Sequence, residues 1–347
     1  MDAGWTVRFC GAKKNAVHPA SAVGAASTGS RVPFACVAWL AALLLSLNPA
    51  GGCADTVQTG SARNITLAPA TLSVKVENGY AVAQEGARSF RVFDLTQEPA
   101  QGRVVAFESH QLGVVSFTVE DFSISADGVF YVAAYVNFGL GDSRYALLRY
   151  AFQERDAQPQ LRHLPDVRCR FLGAGSHGVW CLDPDPREMR AEPPTLSWIS
   201  FLGTVRRYSL LREPGVSLGP PRVVVVANDV AETWLPSMRA FVEAHPVEGV
   251  RAQAPIPVDP ASRALTSFAV SPGGRIQALA PLRENGVEML NTPYALVELD
   301  SPRKAWRRLL PGRRFERGSL LAGWSAGALW LWSRETHSLE TIEGVGP

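Results

Sequence analysis

Five histidines stand beyond the first fifty residues, His110, His163, His177, His245 and His337, and no two share metal-ligand spacing on one strand or helix. No Gly-x-Ser-x-Gly elbow presents a serine nucleophile. Neither a phosphate-binding Walker loop nor a dinucleotide fingerprint is present, so no cofactor is expected. His177 precedes Gly178 at a turn, where a residue tolerant of unusual backbone angles is the simplest reading. The densest charge run is Arg303, Lys304, Arg307, Arg308, Arg313, Arg314 and Arg317, broken by Trp306, Leu309, Leu310 and Phe315. It could face an anionic partner such as lipid head groups, polysaccharide or an acidic protein. The alternative is a solvated outer strand and loop with the apolar residues turned inward. Trp180, Trp198, Trp234, Trp306, Trp324, Trp330 and Trp332 could line a carbohydrate site, but strand positions favour core packing.

Cys10 and Cys36 precede the folded part, which leaves Cys53, Cys169 and Cys181. A hairpin centred on residue 175 would set Cys169 opposite Cys181. The turn at Ser176-His177 instead pairs Cys181 with Leu172 and leaves Cys169 three residues further along, about 10 Å of strand. A β-bulge could close that gap, so a disulfide and two unbridged thiols are both open. No Cys-x-x-Cys or mixed His/Cys cluster suggests zinc.

The elements that would position these residues follow one rhythm. Asn78-Gly79, Asp127-Gly128, His177-Gly178, Gly273-Gly274 and Ala326-Gly327 each precede an apolar strand, and the steps are about fifty residues or twice that. Asn228-Asp229 sits where the missing turn belongs. In the clearest copy Phe117–Ser125, Val129–Tyr135, Tyr145–Phe152 and Gln160–Leu164 read as four strands, with a loop at 139–143. The third strand recurs at Ser89–Leu95, Thr195–Leu202, Pro293–Leu299 and Ser338–Ile342. Met238–Ala244 is the nearest approach to a helical period, and it is short. The pattern predicts an all-β, six-bladed β-propeller with blades near 71–108, 115–165, 166–213, 220–256, 262–311 and 315–343. The last blade has only three strands, and Arg63–Ala68 is expected to supply its fourth, which would leave no open edge at the seam. Seven blades or an irregular β-sandwich are the alternatives.

Hydrophobic content of 46% with 19% charged residues suits a globular core. A net charge of +2 argues against a nucleic-acid partner. The run Phe34–Leu47, preceded by Arg8, Lys13, Lys14 and Arg31, is shorter than the roughly 20 apolar residues of a membrane span. Its layout is that of a secretory signal peptide. Ala50-Gly51-Gly52-Cys53 resembles a bacterial lipobox, which implies lipidation of Cys53 and stable anchoring by three acyl chains. Cleavage nearby, for instance after Ala54, or an uncleaved anchor are the alternatives. The expected division is a signal and lipobox-like segment at 1–53 and one propeller domain at 54–347. The folded part is expected outside the cytoplasm, in the periplasm or on the outer membrane or cell surface if lipidated and secreted if not.

Units such as Phe122-Ser-Ile-Ser-Ala-Asp-Gly-Val-Phe-Tyr-Val132 and Phe268-Ala-Val-Ser-Pro-Gly-Gly-Arg-Ile276 resemble bacterial six-bladed propellers of the broad NHL, senescence-marker-protein and TolB-like kind, over residues 63–343. The resemblance implies a fold and no particular activity. Enzymes of the senescence-marker kind hold a divalent cation with Glu, Asn and Asp in the central channel. Glu77, Asn78, Asp127, Asn228 and Asp229 are the candidates by position, although each is more simply a turn former, and turns at one rim are expected to lie away from the axis on which ligands should converge. A monomeric, membrane-tethered module that binds an envelope protein or glycan is the leading functional expectation. A propeller hydrolase, lactonase or lyase is the competing one.

Overall fold

The computed structural model describes residues 64–346, apart from 99, 152–153, 155–156, 165, 184–193, 211–221, 226–228, 236–239, 256–264, 266, 283–292 and 301–304. Cys53, Arg303, Lys304 and Asn228 therefore lie outside the described residues. The chain divides into two units, Met1–Thr59 and Gly60–Pro347, and the second contains every strand below.

No α-helix occurs among the described residues. The first four-stranded unit is β2 (Ser73–Glu77), β3 (Tyr80–Gln84), β4 (Ser89–Asp94) and β5 (Gly102–Ala106). The second is β6 (Ser116–Ile124), β7 (Val129–Gly139), β8 (Asp142–Ala151) and β9 (Gln160–His163), and the third is β10 (Phe171–Ala174), β11 (Gly178–Asp183), β12 (Thr195–Ser200) and β13 (Val205–Ser209). The fourth comprises β14 (Arg222–Val225), β15 (Ala231–Leu235), β16 (Ala240–His245) and β17 (Gly249–Pro255). The fifth comprises β18 (Ser267–Val270), β19 (Ile276–Pro281), β20 (Tyr294–Asp300) and β21 (Ala305–Arg308). The sixth is β22 (Leu320–Ser325), β23 (Ala328–Ser333) and β24 (Ser338–Ile342), completed on its outer edge by β1 (Asn64–Thr66). Each unit is an antiparallel meander in chain order.

The first strands lie side by side in a cycle: β2 by β6, β6 by β10, β10 by β14, β14 by β18, β18 by β22, and β22 again by β2. A cycle of four-stranded meanders around their first strands is a β-propeller. Two contacts close it. Ile65 stands opposite Leu339, with Leu67 N–H donating to the His337 carbonyl at 2.8 Å. Val76 and Gly323 form a parallel bridge. At Gly323 (φ 144°) an added Cβ would lie 2.0 Å from the Val76 carbonyl oxygen, so only glycine lets the two backbones meet.

Every apolar cluster spans a seam. Phe90 and Phe107 of the first unit pack on Phe122 and Phe130 of the second. Trp180 and Trp198 meet Val223 and Val242, while Trp330 and Trp332 meet Val76, Phe93 and Leu67. One sheet cannot cover its own two faces, so the ring is the condition for burying them. Trp180, Trp198, Trp324, Trp330 and Trp332 are buried, in keeping with core packing.

The turns joining first to second strands and third to fourth strands share one edge of the ring, the near rim; those joining second to third strands share the far rim. Asn78-Gly79 (φ 53° and 88°) and Ala326-Gly327 (51° and 73°) adopt the left-handed pair of a tight hairpin turn. The 139–143 loop expected from sequence is instead a turn at Leu140-Gly141, because β7 runs on to Gly139 and β8 starts at Asp142. Ala240–His245 forms β16, so the described part of the segment nearest to a helical period is strand; Met238 and Arg239 lie outside the described residues.

Cys169 and Cys181 are joined by a disulfide, with Cα atoms 4.8 Å apart. Cys181 stands opposite Leu172, as the turn position implied. A separation of about 10 Å would hold only if strand continued to Cys169. The strand ends at Phe171, and a bend at Arg170 brings Cys169 back over its partner.

Candidate functional site

First strands of successive units run side by side, so side chains one period apart meet across the seams around the axis. Lys75 Nζ donates to Asp121 Oδ2 at 2.6 Å and to the Leu172 carbonyl at 3.1 Å, and Asp121 Oδ2 also accepts from Leu172 N–H at 2.7 Å. One layer nearer the rim, Glu77 Oε1 accepts from Ser123 Oγ at 2.7 Å and from Ile124 N–H at 2.8 Å. Ser123 Oγ accepts in turn from Ala174 N–H at 2.7 Å, and Asn78 Nδ2 donates to the Ile124 carbonyl at 2.7 Å. Each layer thus ties three units together. Buried groups are tolerated there because they satisfy one another.

Of these residues Lys75, Glu77, Asn78 and Ala174 line an axial cavity of about 340 Å³ beside the near-rim turns, together with Asp229, Trp324 and Ser325 among others. Turn residues therefore do reach the axis. Glu77, Asn78 and Asp229 share that cavity, whereas Asp127 only accepts a short bond from Ser125 Oγ within its own turn. Among the described residues no three His, Cys, Asp or Glu side chains gather as a metal site.

Asp229 (φ 59°) is the most connected member. Its buried carboxylate accepts from Ser176 N–H and, at 3.4 Å, from His177 N–H, and its Oδ2 lies 2.6 Å from His177 Nδ1. Its carbonyl accepts from Trp180 Nε1 at 2.7 Å. Gly175 lies beneath, where a Cβ would stand 2.2 Å from Asp229 Oδ1. His177 is not in the left-handed region, so the sequence reading of it as an angle-tolerant turn residue is corrected: it is placed by Asp229. The ring is 83% exposed and meets Asp229 through Nδ1; Ser176 and Asp229 line the cavity, and the His177 ring stands next to them.

Of the basic run, Arg307 Nη2 donates to Glu298 Oε1 at 2.8 Å, and Arg313 pairs with Glu340 at 3.4 Å while covering the Phe315 ring. Arg308, Arg314 and Arg317 are exposed on β21 and the link to β22. Leu309, Leu310 and Phe315 turn inward against the last two units. Carboxylates thus offset part of the run. Sequence reasoning passed over Lys75, Asp121 and Ser123. Their signal was positional: Lys75 and Asp121 stand 46 residues apart at one level of successive first strands, and Ser123 stands 46 residues from Glu77 at the next.

One strong electrostatic shift lies elsewhere in the fourth unit. Glu232 stands directly opposite Glu243 on adjacent strands. Burial, aided by the Glu243 charge, pushes its carboxyl up to about 7.

No protein-family model matches the chain, and no curated protein matches it. Solved structures similar in shape include virginiamycin B lyase from Staphylococcus aureus, at 11% identity and TM-score 0.42, covering 81% of this chain and 98% of that one. The Cps50 (Swd1) β-propeller domain from Myceliophteria thermophila is 13% identical at TM-score 0.42, covering 81% and 100%. A glucose dehydrogenase is 12% identical at TM-score 0.43, covering 81% and 99%. Likenesses this distant carry no residue roles to this chain.

Proposed function

We propose that the chain is an exported propeller, tethered to the bacterial envelope through a lipid on Cys53, that binds a protein partner without catalysing a reaction. The observation that supports this reading is the second unit. Its β6, β7 and β8 span 9, 11 and 10 residues, while no other described strand exceeds seven. The surplus carries the β7–β8 hairpin past the far rim. At its tip Leu140 is fully exposed, with Val115 and Tyr135 exposed alongside. The finger is braced: Tyr135 packs on Tyr145 with ring centres 5.1 Å apart, and Phe138 on His163 at 4.7 Å. A stiff, apolar projection loses little entropy on binding and suits a protein surface better than a sugar or nucleic acid.

A photo-crosslinking residue at position 140, used in intact envelopes, tests this. One envelope protein should be captured, and Val115→Asp should abolish the capture while the propeller still folds. Capture that survives Val115→Asp, or no capture from a correctly exported chain, would reject the reading.

The His177–Asp229 pair favours a second reading, a propeller enzyme using His177 Nε2 as general base beside the cavity. That reading predicts turnover of an ester or lactone that His177→Ala abolishes and Asp229→Asn slows. A rise in melting temperature with calcium, magnesium or zinc, reversed by chelator, would add a metal requirement.

A further inference from the structure

Two near-rim turns sit next to each other. The β12–β13 turn carries Leu202, 95% exposed, and the β16–β17 turn carries Val247, 68% exposed; Val205 and Val250 stand exposed behind them. The turns are locked together. Arg206 Nη1 and the Tyr208 hydroxyl both donate to the Pro246 carbonyl, at 2.9 and 3.0 Å, and Gly249 packs on the Tyr208 ring. Leu202 is held by an ordered turn, with Gly203 N–H donating to the Ser200 carbonyl at 3.0 Å and Gly203 at φ 98°. Arg162 bonds the Ser200 carbonyl and Arg206 the Pro246 carbonyl between the turns, whereas Arg251 is offset by Glu248 and Glu243.

What faces this patch follows from where the chain leaves the ring. Asn64 pairs with Glu340, and β24 runs toward the near rim, so β1 begins at the near rim. Between Cys53 and Asn64 a fully extended chain reaches about 40 Å. If Cys53 is lipidated, as proposed above, the near rim is the side held close to a bilayer. We propose that Leu202 and Val247, with Arg162 and Arg206, form a docking surface for anionic phospholipid, so that the propeller lies near rim down and presents the β7–β8 finger away from the membrane. Apolar tips entering the head-group layer and arginines meeting phosphate are complementary to such a surface.

The test uses the chain from Ala54 to Pro347, which holds the whole compact unit Gly60–Pro347 and no acyl group. It is sedimented with vesicles of equal phosphatidylglycerol and phosphatidylethanolamine, and with phosphatidylcholine vesicles. Binding to the anionic vesicles is expected, weakening in high salt. Leu202→Asp with Val247→Asp, or the milder Leu202→Ser with Val247→Ser, should reduce it at least about tenfold, and Leu140→Asp should leave it unchanged. No binding by the parent, equal binding by the tip variants, or equal loss in Leu140→Asp would overturn the proposal. So would a dimer that the tip variants dissolve, since a second copy would then be the occupant. Mass spectrometry of the mature amino terminus separates the two readings. An acylated Cys53 with no vesicle binding sinks docking and leaves the tether; an unmodified Cys53 with intact binding does the reverse.

Discussion

Lys75 and Asp121 are 15% and 13% exposed, and the lysine also covers the Phe122 ring with Nζ 5.5 Å from its centre. Replacing the lysine alone strands a nearly buried carboxylate, which typically costs about 3 kcal/mol. Lys75→Met should therefore lower the urea midpoint clearly, and Lys75→Met with Asp121→Leu should recover most of the loss. An additive double variant would show that the pair is not coupled. Glu232 makes a pH prediction. Its folded-state value of about 7 lies above its ordinary 4.5, so the folded protein holds a proton that the unfolded chain releases. The stability this provides is full below about 4.5 and is lost as pH rises through about 7. Melting temperature should fall between pH 5 and pH 8, and Glu232→Gln should flatten that fall. An unchanged slope in the variant would remove Glu232 as the cause.

At the scale of elements, the Cys169–Cys181 bond closes a short loop beside β10 and β11, between the second and third units. Removing such a loop constraint typically costs about 3 kcal/mol. Cys169→Ala with Cys181→Ala should unfold earlier in urea by that margin, and an unchanged midpoint would make the bond dispensable. These elements also show what a sequence can and cannot carry. Asn78-Gly79 and Ala326-Gly327 were legible because few residues adopt the left-handed pair their turns require. Ser338–Ile342 was legible because alternation marks a strand closing on a core. Glu77, Asn78 and Asp229 were recognisable as residue types, but their meeting at one cavity depends on how neighbouring units align. The same holds for Lys75 and Asp121, which are 46 residues apart. The bend at Arg170 and the bulge between Asn137 and Gly139 are local departures with no strong sequence signature; one carries the disulfide, the other lengthens the finger.

The whole molecule is a closed ring whose last unit borrows its outer strand, β1, from the start of the described residues. That closure buries Leu67 against Trp330, Trp332 and Leu339 and covers an edge that would otherwise seek another partner. It also places Asn64, the start of β1, at the near rim, on which the proposal of a membrane side and a partner side depends. The most direct test introduces cysteines at Thr66 and Ser338, which stand opposite each other in the β1–β24 pair. Thr66→Cys with Ser338→Cys should form a new disulfide on air oxidation without loss of the native fold, and the oxidised protein should unfold at a higher urea concentration than the reduced one. Failure to bridge in a folded protein, or a bridge that destabilises it, would place β1 elsewhere and contradict the closed ring.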